Sequence, residues 1–136
     1  MATQYSVAAR DATLEAFRTL LGASPVLKVF TGSKPANCAA ANTGTELVSM
    51  TLPATPFAAA SAGAMAKAGT WTGTAITSGT AGHYRLYLAD GVTCVKQGVI
   101  GFTGSPQDLD LSQVSAAIVG GQVVTVGTYA LTAGGA

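Results

Sequence analysis

Near the start of the chain, hydrophobic residues recur three and four positions apart, as they do on one face of a helix. The residues that carry this pattern are Val7, Leu14, Phe17, Leu20 and Leu21. Ser6 can act as the N-cap, and Gly22 suits the position where a helix ends. The pattern therefore predicts a helix over residues 6–22, with Asp11, Glu15 and Arg18 on the opposite face.

Beyond residue 25 the pattern changes to alternation, which is typical of strands with one packed face and one wet face. Val48, Met50 and Leu52, for example, alternate with Ser49 and Thr51. Strand character is found in residues 26–31, 46–52, 69–76, 83–89, 93–100, 108–112, 116–119 and 122–132. Short strands after a single helix predict a mainly β protein: an antiparallel β-sandwich of about seven to eight strands with one N-terminal α-helix.

The segments between the predicted strands set the expected domain organisation. Asp90 and Gly91 join two strands as a two-residue hairpin turn, because glycine readily adopts the positive φ that such turns require. Residues 58–68 are rich in alanine and poor in strand formers, so we expect a connection lying over the sandwich or against a neighbour. Residues 1–25 are expected to form an N-terminal arm and helix, and residues 26–136 the sandwich domain.

The chain carries few charges, with 7 Lys and Arg, 6 Asp and Glu, and a net charge of +1. This balance provides no basic patch, so we expect no nucleic-acid partner and no anionic membrane surface as a partner. No run of 18 apolar residues is present, and none is expected to span a membrane. A surface of Ala, Thr, Ser and Gly repels neighbours poorly, which indicates a protein that assembles.

Few residues have the spacing that catalysis or metal binding requires. His83 is the single histidine, and a structural or surface role is favoured for it. Asp108 and Asp110 could share a strand face and act as a pair, but a solvent-facing role is favoured. We therefore expect no enzyme, no cofactor and no metal. Cys38 and Cys94 permit one disulfide, although two free thiols are the favoured interpretation.

Five apolar residues are candidates for an interface: Leu14, Phe17, Leu20, Leu21 and Trp71. The stripe of Leu14, Phe17 and Leu21 can pack on the chain's own sheet or dock on another subunit. Trp71, the single tryptophan, can be a core anchor or an exposed aromatic contact, and the core is favoured.

A series of turn motifs runs from residue 30 to residue 91. Its positions are Phe30, Thr31, Gly32, Pro35, Ala36, Thr43, Gly44, Thr45, Leu47, Gly79, Thr80, Ala81, Gly82, Arg85, Asp90 and Gly91. In these motifs the chain resembles a group of small virion proteins of tailed bacteriophages. In those proteins a strand leads into an aromatic-Thr/Ser-Gly-x-x-Pro-Ala turn, then Thr-Gly-Thr-x-Leu, then Gly-Thr-Ala-Gly-x-x-Arg and a strand ending in Asp-Gly. The resemblance covers most of residues 26–132. It implies a structural protein that is made in the host cytoplasm and incorporated into the virion.

Within the virion, the resemblance favours a capsid decoration (cement) protein that bridges capsomers. Its expected partners are the major capsid protein or other virion proteins, and a homotrimer is favoured because decoration proteins commonly occupy local threefold points. The alternatives are a tail, neck or collar component, or a carbohydrate- or receptor-binding module with Trp71, Tyr84, Tyr87 and Asp90 at its site. The glycine- and alanine-rich stretch "TGSKPANCAAANTGT" is expected to be a loop that presents small residues for close contact.

Overall fold

The structure is a computed structural model and describes residues 4–105, 107, 109–113 and 115–133. In this part the chain is mainly β with one N-terminal helix, as the hydrophobic pattern predicts. The elements are α1 (Val7–Leu21), β1 (Val26–Thr31), β2 (Glu46–Thr51), β3 (Ala64–Ala66), β4 (Thr72–Thr74), β5 (Gly79–Tyr87), β6 (Cys94–Phe102), β7 (Leu109–Leu111), β8 (Ala117–Ile118) and β9 (Val123–Thr132).

The nine described strands form one mixed sheet that curls on itself. Its hydrogen-bonded order is β2-β1-β5-β6-β7-β9-β3, while β4 pairs with β9 and β8 pairs with β5. The curl brings β4 back to β2, where Gly73 lies against the side chains of Val48 and Met50. Just beyond β4, the amide of Ile76 donates to the carbonyl of Leu47 at 2.8 Å.

The antiparallel sandwich expected from the sequence is not confirmed. The hydrogen-bonded path is continuous, and β6 and β7 run parallel, with Ile100 opposite Leu109. The alternating pattern could not distinguish these arrangements, because a strand with one buried face alternates identically in a curled sheet and in a sandwich.

The alanine-rich segment departs from its expected form, because Ala64–Ala66 is a strand. It pairs with β9 in the register Ala64 to Thr132 and Ala66 to Ala130, and Met65 between them is 1% exposed. The segment is a strand because it pairs with β9 and buries Met65. The low strand propensity of alanine gives no sign of either contact.

The core lies inside the curled sheet and is centred on aromatic rings. Trp71 is fully buried, with its ring centroid 5.3 Å from that of Phe57 and 5.6 Å from that of Tyr129. Its indole Nε1 donates to the carbonyl of Ala68 at 3.1 Å, so the polar atom is satisfied. Tyr84 and Tyr129 share a hydrogen bond between their hydroxyls at 2.8 Å. Trp71 is therefore a core anchor, the role that the sequence favoured.

The helix α1 packs on the sheet and belongs to the same core. Ser6 caps it by accepting from the amide of Ala9 at 3.1 Å, and Gly22 at φ +70° ends it. Leu14 and Leu21 are buried in the hydrophobic cluster that the strands share. The helix is therefore held against the strands of its own chain.

The charged residues of the helix also face the chain, contrary to the sequence expectation. Asp11 accepts from the amide of Gly63 at 2.7 Å, and Glu15 accepts from the amide of Ala60 at 2.7 Å. Arg18 pairs with Glu15 at 2.6 Å. These side chains satisfy backbone groups of the alanine-rich segment, a use that helical periodicity cannot show. Among the residues described, no helix has the length and apolar character to cross a membrane.

Candidate functional site

Residues 32–45, called the long loop below, fold back over the outer face of the sheet. Beneath them the outward-pointing residues of β5 are His83, Arg85 and Tyr87, all buried, with Gln97 of the neighbouring β6 beside them. Buried polar residues need hydrogen-bond partners, and the long loop supplies several of them, while His83 Nε2, Arg85 Nε and Gln97 Oε1 have none. These side chains lie on the outer face of the sheet, which would be exposed to water if the long loop did not cover it.

Arg85 makes most of these bonds. Its Nη2 donates to the carbonyls of Cys38 at 2.8 Å and Ala40 at 3.1 Å, and its Nη1 donates to the side chain of Asn42. The hydroxyl of Tyr87 donates to the same oxygen of Asn42. Arg85 is only 2% exposed, and its planar fork of donors suits several acceptors at once. The buried guanidinium of Arg85 therefore fixes the middle of the loop, from Cys38 to Asn42, by hydrogen bonds.

His83 and Gln97 hold the first part of the loop. The His83 ring stacks on Phe30 at 5.2 Å with an interplanar angle of 11°, and its Nδ1 lies 2.9 Å from the carbonyl oxygen of Gly32. That oxygen can only accept, so Nδ1 carries the proton in the neutral ring. Gln97 donates to the carbonyl of Pro35 at 2.7 Å. Burial lowers the pKa of His83, and nearby Arg85 adds to that effect.

Two glycines let the loop approach the sheet closely. A Cβ on Gly44 would overlap the carbonyl oxygen of Thr31, and Gly44 has a φ of +73° that favours glycine. A Cβ on Gly82 would overlap the backbone of Gly32. At the loop's base, the amide of Thr45 donates to the hydroxyl of Thr31 at 2.9 Å. The close backbone approach therefore depends on the absence of side chains.

Many residues that carry the phage-protein resemblance converge on this loop. They include Thr31, Gly32, Pro35, Gly44, Thr45, Gly82 and Arg85. In sequence they look like scattered turn residues, whereas in the structure they hold one loop against one face of the sheet.

A second feature, the end patch, consists of Ile76, Val119 and Val123. These aliphatic side chains are 66%, 63% and 65% exposed. Backbone hydrogen bonds bring their segments together: the amide of Ala75 donates to Gln122, and the amide of Gly121 donates to Ala75, each at 2.8 Å. Three large, exposed apolar side chains therefore lie on two hydrogen-bonded segments, and exposed apolar clusters commonly mark a protein contact.

The end patch adjoins the base of the long loop. The amide of Ile76 donates to the carbonyl of Leu47, the second residue after the loop. Thr31, at the start of the loop, pairs with Ala81 of β5, and the neighbouring Gly79 pairs with Ile118 of β8. The base of the loop and the end patch therefore share one end of the curled sheet.

Sequence analysis missed the end patch, although a signal for it is present. No charged residue occurs in residues 68–82 or in residues 111–136, and these stretches supply β4, β8 and β9 and their turns. All 13 charged residues lie between Arg10 and Asp110. The uneven charge distribution, and not any motif, marks this end of the molecule.

The structure separates the predicted interface residues into two groups. Leu14, Leu21 and Trp71 are 6%, 2% and 0% exposed, so a partner could reach them only by opening the core. Phe17 is half-buried, with its ring centroid 6.5 Å from that of Phe57. Leu20 is 61% exposed on the outer side of the helix. Of the predicted interface residues, Leu20 and the outer part of Phe17 are the ones that a neighbour could contact on the folded protein.

The residues suggested for sugar binding do not form an exposed aromatic surface. Trp71, Tyr84 and Tyr87 are at most 2% exposed. The carboxylate of Asp90 accepts from the amides of Val92 and Thr93, at 2.8 and 2.9 Å, and so closes the hairpin turn. These hydrogen bonds also lower the pKa of Asp90, those from Thr93 most strongly.

Of the two suggested carboxylates, Asp108 lies outside the described residues. Asp110 accepts from the amide of Gln107 at 2.7 Å and from the hydroxyl of Thr128 at 3.2 Å. In the part of the chain that the structure describes, His, Cys, Asp and Glu nowhere gather in a group of three that could hold a metal ion.

The two cysteines approach each other beside the long loop. The Sγ atoms of Cys38 and Cys94 are 3.0 Å apart, and both thiols are free. Burial, and then the neighbouring Cys38, raise the pKa of Cys94 to about 11. Both residues line an open cleft of about 480 Å³ between the loop and the β5–β6 turn.

Comparison with known protein families, with curated proteins and with solved structures found no match to this chain.

Proposed function

We propose that this chain is a structural protein of a tailed-phage virion, and that it acts as a capsid decoration protein. It performs no catalysis in this role. It binds the major capsid protein across neighbouring capsomers and assembles as a homo-oligomer, with a trimer favoured by the resemblance. The proposal combines that resemblance with the surface described above.

The end patch is the single observation that carries the proposal. Burying one Val or Ile side chain contributes about 1.5–3 kcal/mol, so one patch gives a modest contact. A shell that carries many copies multiplies such contacts, and linked copies bind far more tightly than single ones. Because the surrounding stretches carry no charge, the partner surface that fits best is itself apolar and uncharged.

The long loop supports this role by making one end of the molecule rigid. Its hydrogen bonds to Arg85, His83 and Gln97 fix the loop before any partner arrives. A surface ordered in advance loses less conformational entropy on binding. The exposed small residues of the loop can then lie close to a neighbour, as the sequence suggested.

The test is binding to capsid shells that have been stripped of accessory proteins. Light scattering first gives the oligomeric state of the full chain, and sedimentation with shells then gives the bound copies per shell. We expect saturable binding at many copies per shell. Ile76→Asp and Val119→Asp should each weaken binding by at least about tenfold, since a charge would be buried at the contact.

Val92→Asp is the matched control, because Val92 is 79% exposed and lies at the Asp90 turn, away from the end patch. It should bind like wild type. Leu20→Asp tests the helix as a second contact. Absence of binding to shells by the wild-type chain would overturn the decoration proposal and direct the search to the tail, neck or collar. If all variants, including the Val92→Asp control, lost binding equally, the end patch would not be the contact with the shell.

A further inference from the structure

Cys38 and Cys94 are 56 positions apart in the chain, yet their Sγ atoms are 3.0 Å apart. Cys38 lies in the long loop, and Cys94 is the first residue of β6. Arg85 holds the loop in place by donating to the carbonyl of Cys38 itself. The approach of the two thiols is therefore built into the hydrogen bonding of the folded loop.

The two thiols are also within reach of small reagents. Both residues are half-buried, and both line the open cleft between the long loop and the β5–β6 turn. A small disulfide can enter such an open cleft, and once it has reacted with one thiol, the second thiol of the same chain is already 3.0 Å away. The geometry thus favours reaction within one chain over crosslinking between chains.

We propose that Cys38 and Cys94 form a disulfide when the folded protein meets a small oxidising disulfide such as oxidised glutathione, and that this bond ties the long loop to β6. The two thiols lose two protons and two electrons as the new S–S bond forms. Oxidised glutathione takes up the electrons, its own S–S bond breaks, and two molecules of glutathione are released. This inference does not depend on the proposed function.

The reaction proceeds in two exchange steps. Cys38 loses its proton to solvent, and its sulfur attacks one sulfur of oxidised glutathione, forms a mixed disulfide and releases the first glutathione as a thiolate that takes up a proton. Cys94 then loses its proton to solvent, its sulfur attacks the Cys38 sulfur, and the second glutathione leaves. The pKa of Cys94 is raised to about 11 by burial and by Cys38, so the second step should accelerate as pH rises.

The bond would stabilise the fold chiefly by restricting the unfolded chain between the two cysteines. In a reducing cytoplasm the loop would be held by Arg85, His83 and Gln97 without the disulfide. In an oxidising medium the disulfide would add to those contacts. The long loop would then be fixed more firmly after the protein leaves a reducing compartment.

The experiment treats the full chain with oxidised glutathione under native conditions. We expect both free thiols to disappear, intact mass to show no added glutathione, and protease digestion to give one joined pair of peptides containing Cys38 and Cys94. The Tm should rise by roughly 5–15 °C and return on reduction. Retention of both thiols, one glutathione on each cysteine, or crosslinked dimers on a non-reducing gel would each overturn the proposal.

Cys94→Ser and Cys38→Ser provide the matched pair of controls. Cys94→Ser should accumulate a mixed disulfide on Cys38, because the second exchange cannot occur, and neither variant should gain Tm on oxidation. A Tm gain in either variant would contradict the assignment. Should a serine variant fail to fold, the joined peptides from wild type still decide the question, and hydrogen exchange of the loop amides before and after oxidation measures its tightening.

Discussion

Arg85 shows how one side chain can organise a segment far from it in sequence. Its buried guanidinium serves the carbonyls of Cys38 and Ala40, so removing it leaves those acceptors unpaired. We expect Arg85→Met to lower the free energy of unfolding by about 2–4 kcal/mol and to speed hydrogen exchange in the long loop. Urea unfolding and exchange of the loop amides measure the two effects.

Lys28→Met is the matched control for that substitution. Lys28 lies opposite Arg85 in the sheet register, and its ammonium is 3.4 Å from the Glu46 carboxylate in a pair whose side chains are 21% and 30% exposed. An ion pair that keeps contact with solvent contributes about 0–1 kcal/mol, so its loss should cost less than that of Arg85. A cost for Arg85→Met no larger than that for Lys28→Met would show that the loop does not depend on Arg85.

His83 makes the same region sensitive to pH. Burial lowers the pKa of His83 below its ordinary value, and Arg85 and Lys34 add to that effect. As pH falls below about 6.5, the unfolded chain takes up a proton that the folded chain resists, so His83's contribution to stability is lost. We expect the free energy of unfolding to fall between about pH 7.5 and 5.5. Urea titrations across that range measure the change.

His83→Asn separates this effect from other titrations, because Asn cannot take up a proton there. The variant should be less stable at neutral pH but show a flatter profile across the same range. Glu15 and Asp90 have pKa values lowered from their ordinary values near 4, so they titrate below this window. A wild-type profile that stays flat, or one that persists unchanged in His83→Asn, would contradict the assignment.

At the scale of elements, the sequence pattern correctly predicted features that depend only on neighbouring residues. The helix caps at Ser6 and Gly22 and the alternation in β2 follow from hydrogen bonding and side-chain period alone. The strand Ala64–Ala66 could not be found this way, because it depends on pairing with β9. The carboxylates of Asp11 and Glu15 were placed on the wrong face because they bind amides that are distant in sequence.

In the candidate site, too, features set by neighbouring residues could be predicted, and features set by residues distant in sequence could not. Glycines and Pro35 marked the long loop as a loop, but only the folded sheet brings His83, Arg85 and Gln97 beneath it. The proximity of the two cysteines follows from that arrangement. Their positions in the sequence alone do not show that they lie close together in the fold. The end patch needed the pairing of β4 with β9, which joins the turn after β4 to the turn before β9.

At the scale of the whole molecule, the helix and the strands share one core. The sequence suggested an arm of residues 1–25 ahead of a separate domain, but Leu14 and Leu21 lie in the same hydrophobic cluster as Trp71. A shared core should unfold in one cooperative step. Fluorescence of Trp71, the single tryptophan, and far-ultraviolet circular dichroism should therefore report coincident transitions.

Leu14→Ala makes that expectation quantitative. Leu14 is 6% exposed, so truncation should cost about 2–4 kcal/mol and shift both transitions together. Leu20→Ala, on the same helix but 61% exposed, should cost less than about 0.5 kcal/mol. If Leu14→Ala melted the helix signal while the Trp71 transition stayed in place, the helix would be a separable arm. Coincident shifts would instead mean that a partner can use only the outer face of the helix, because its inner face holds the fold together.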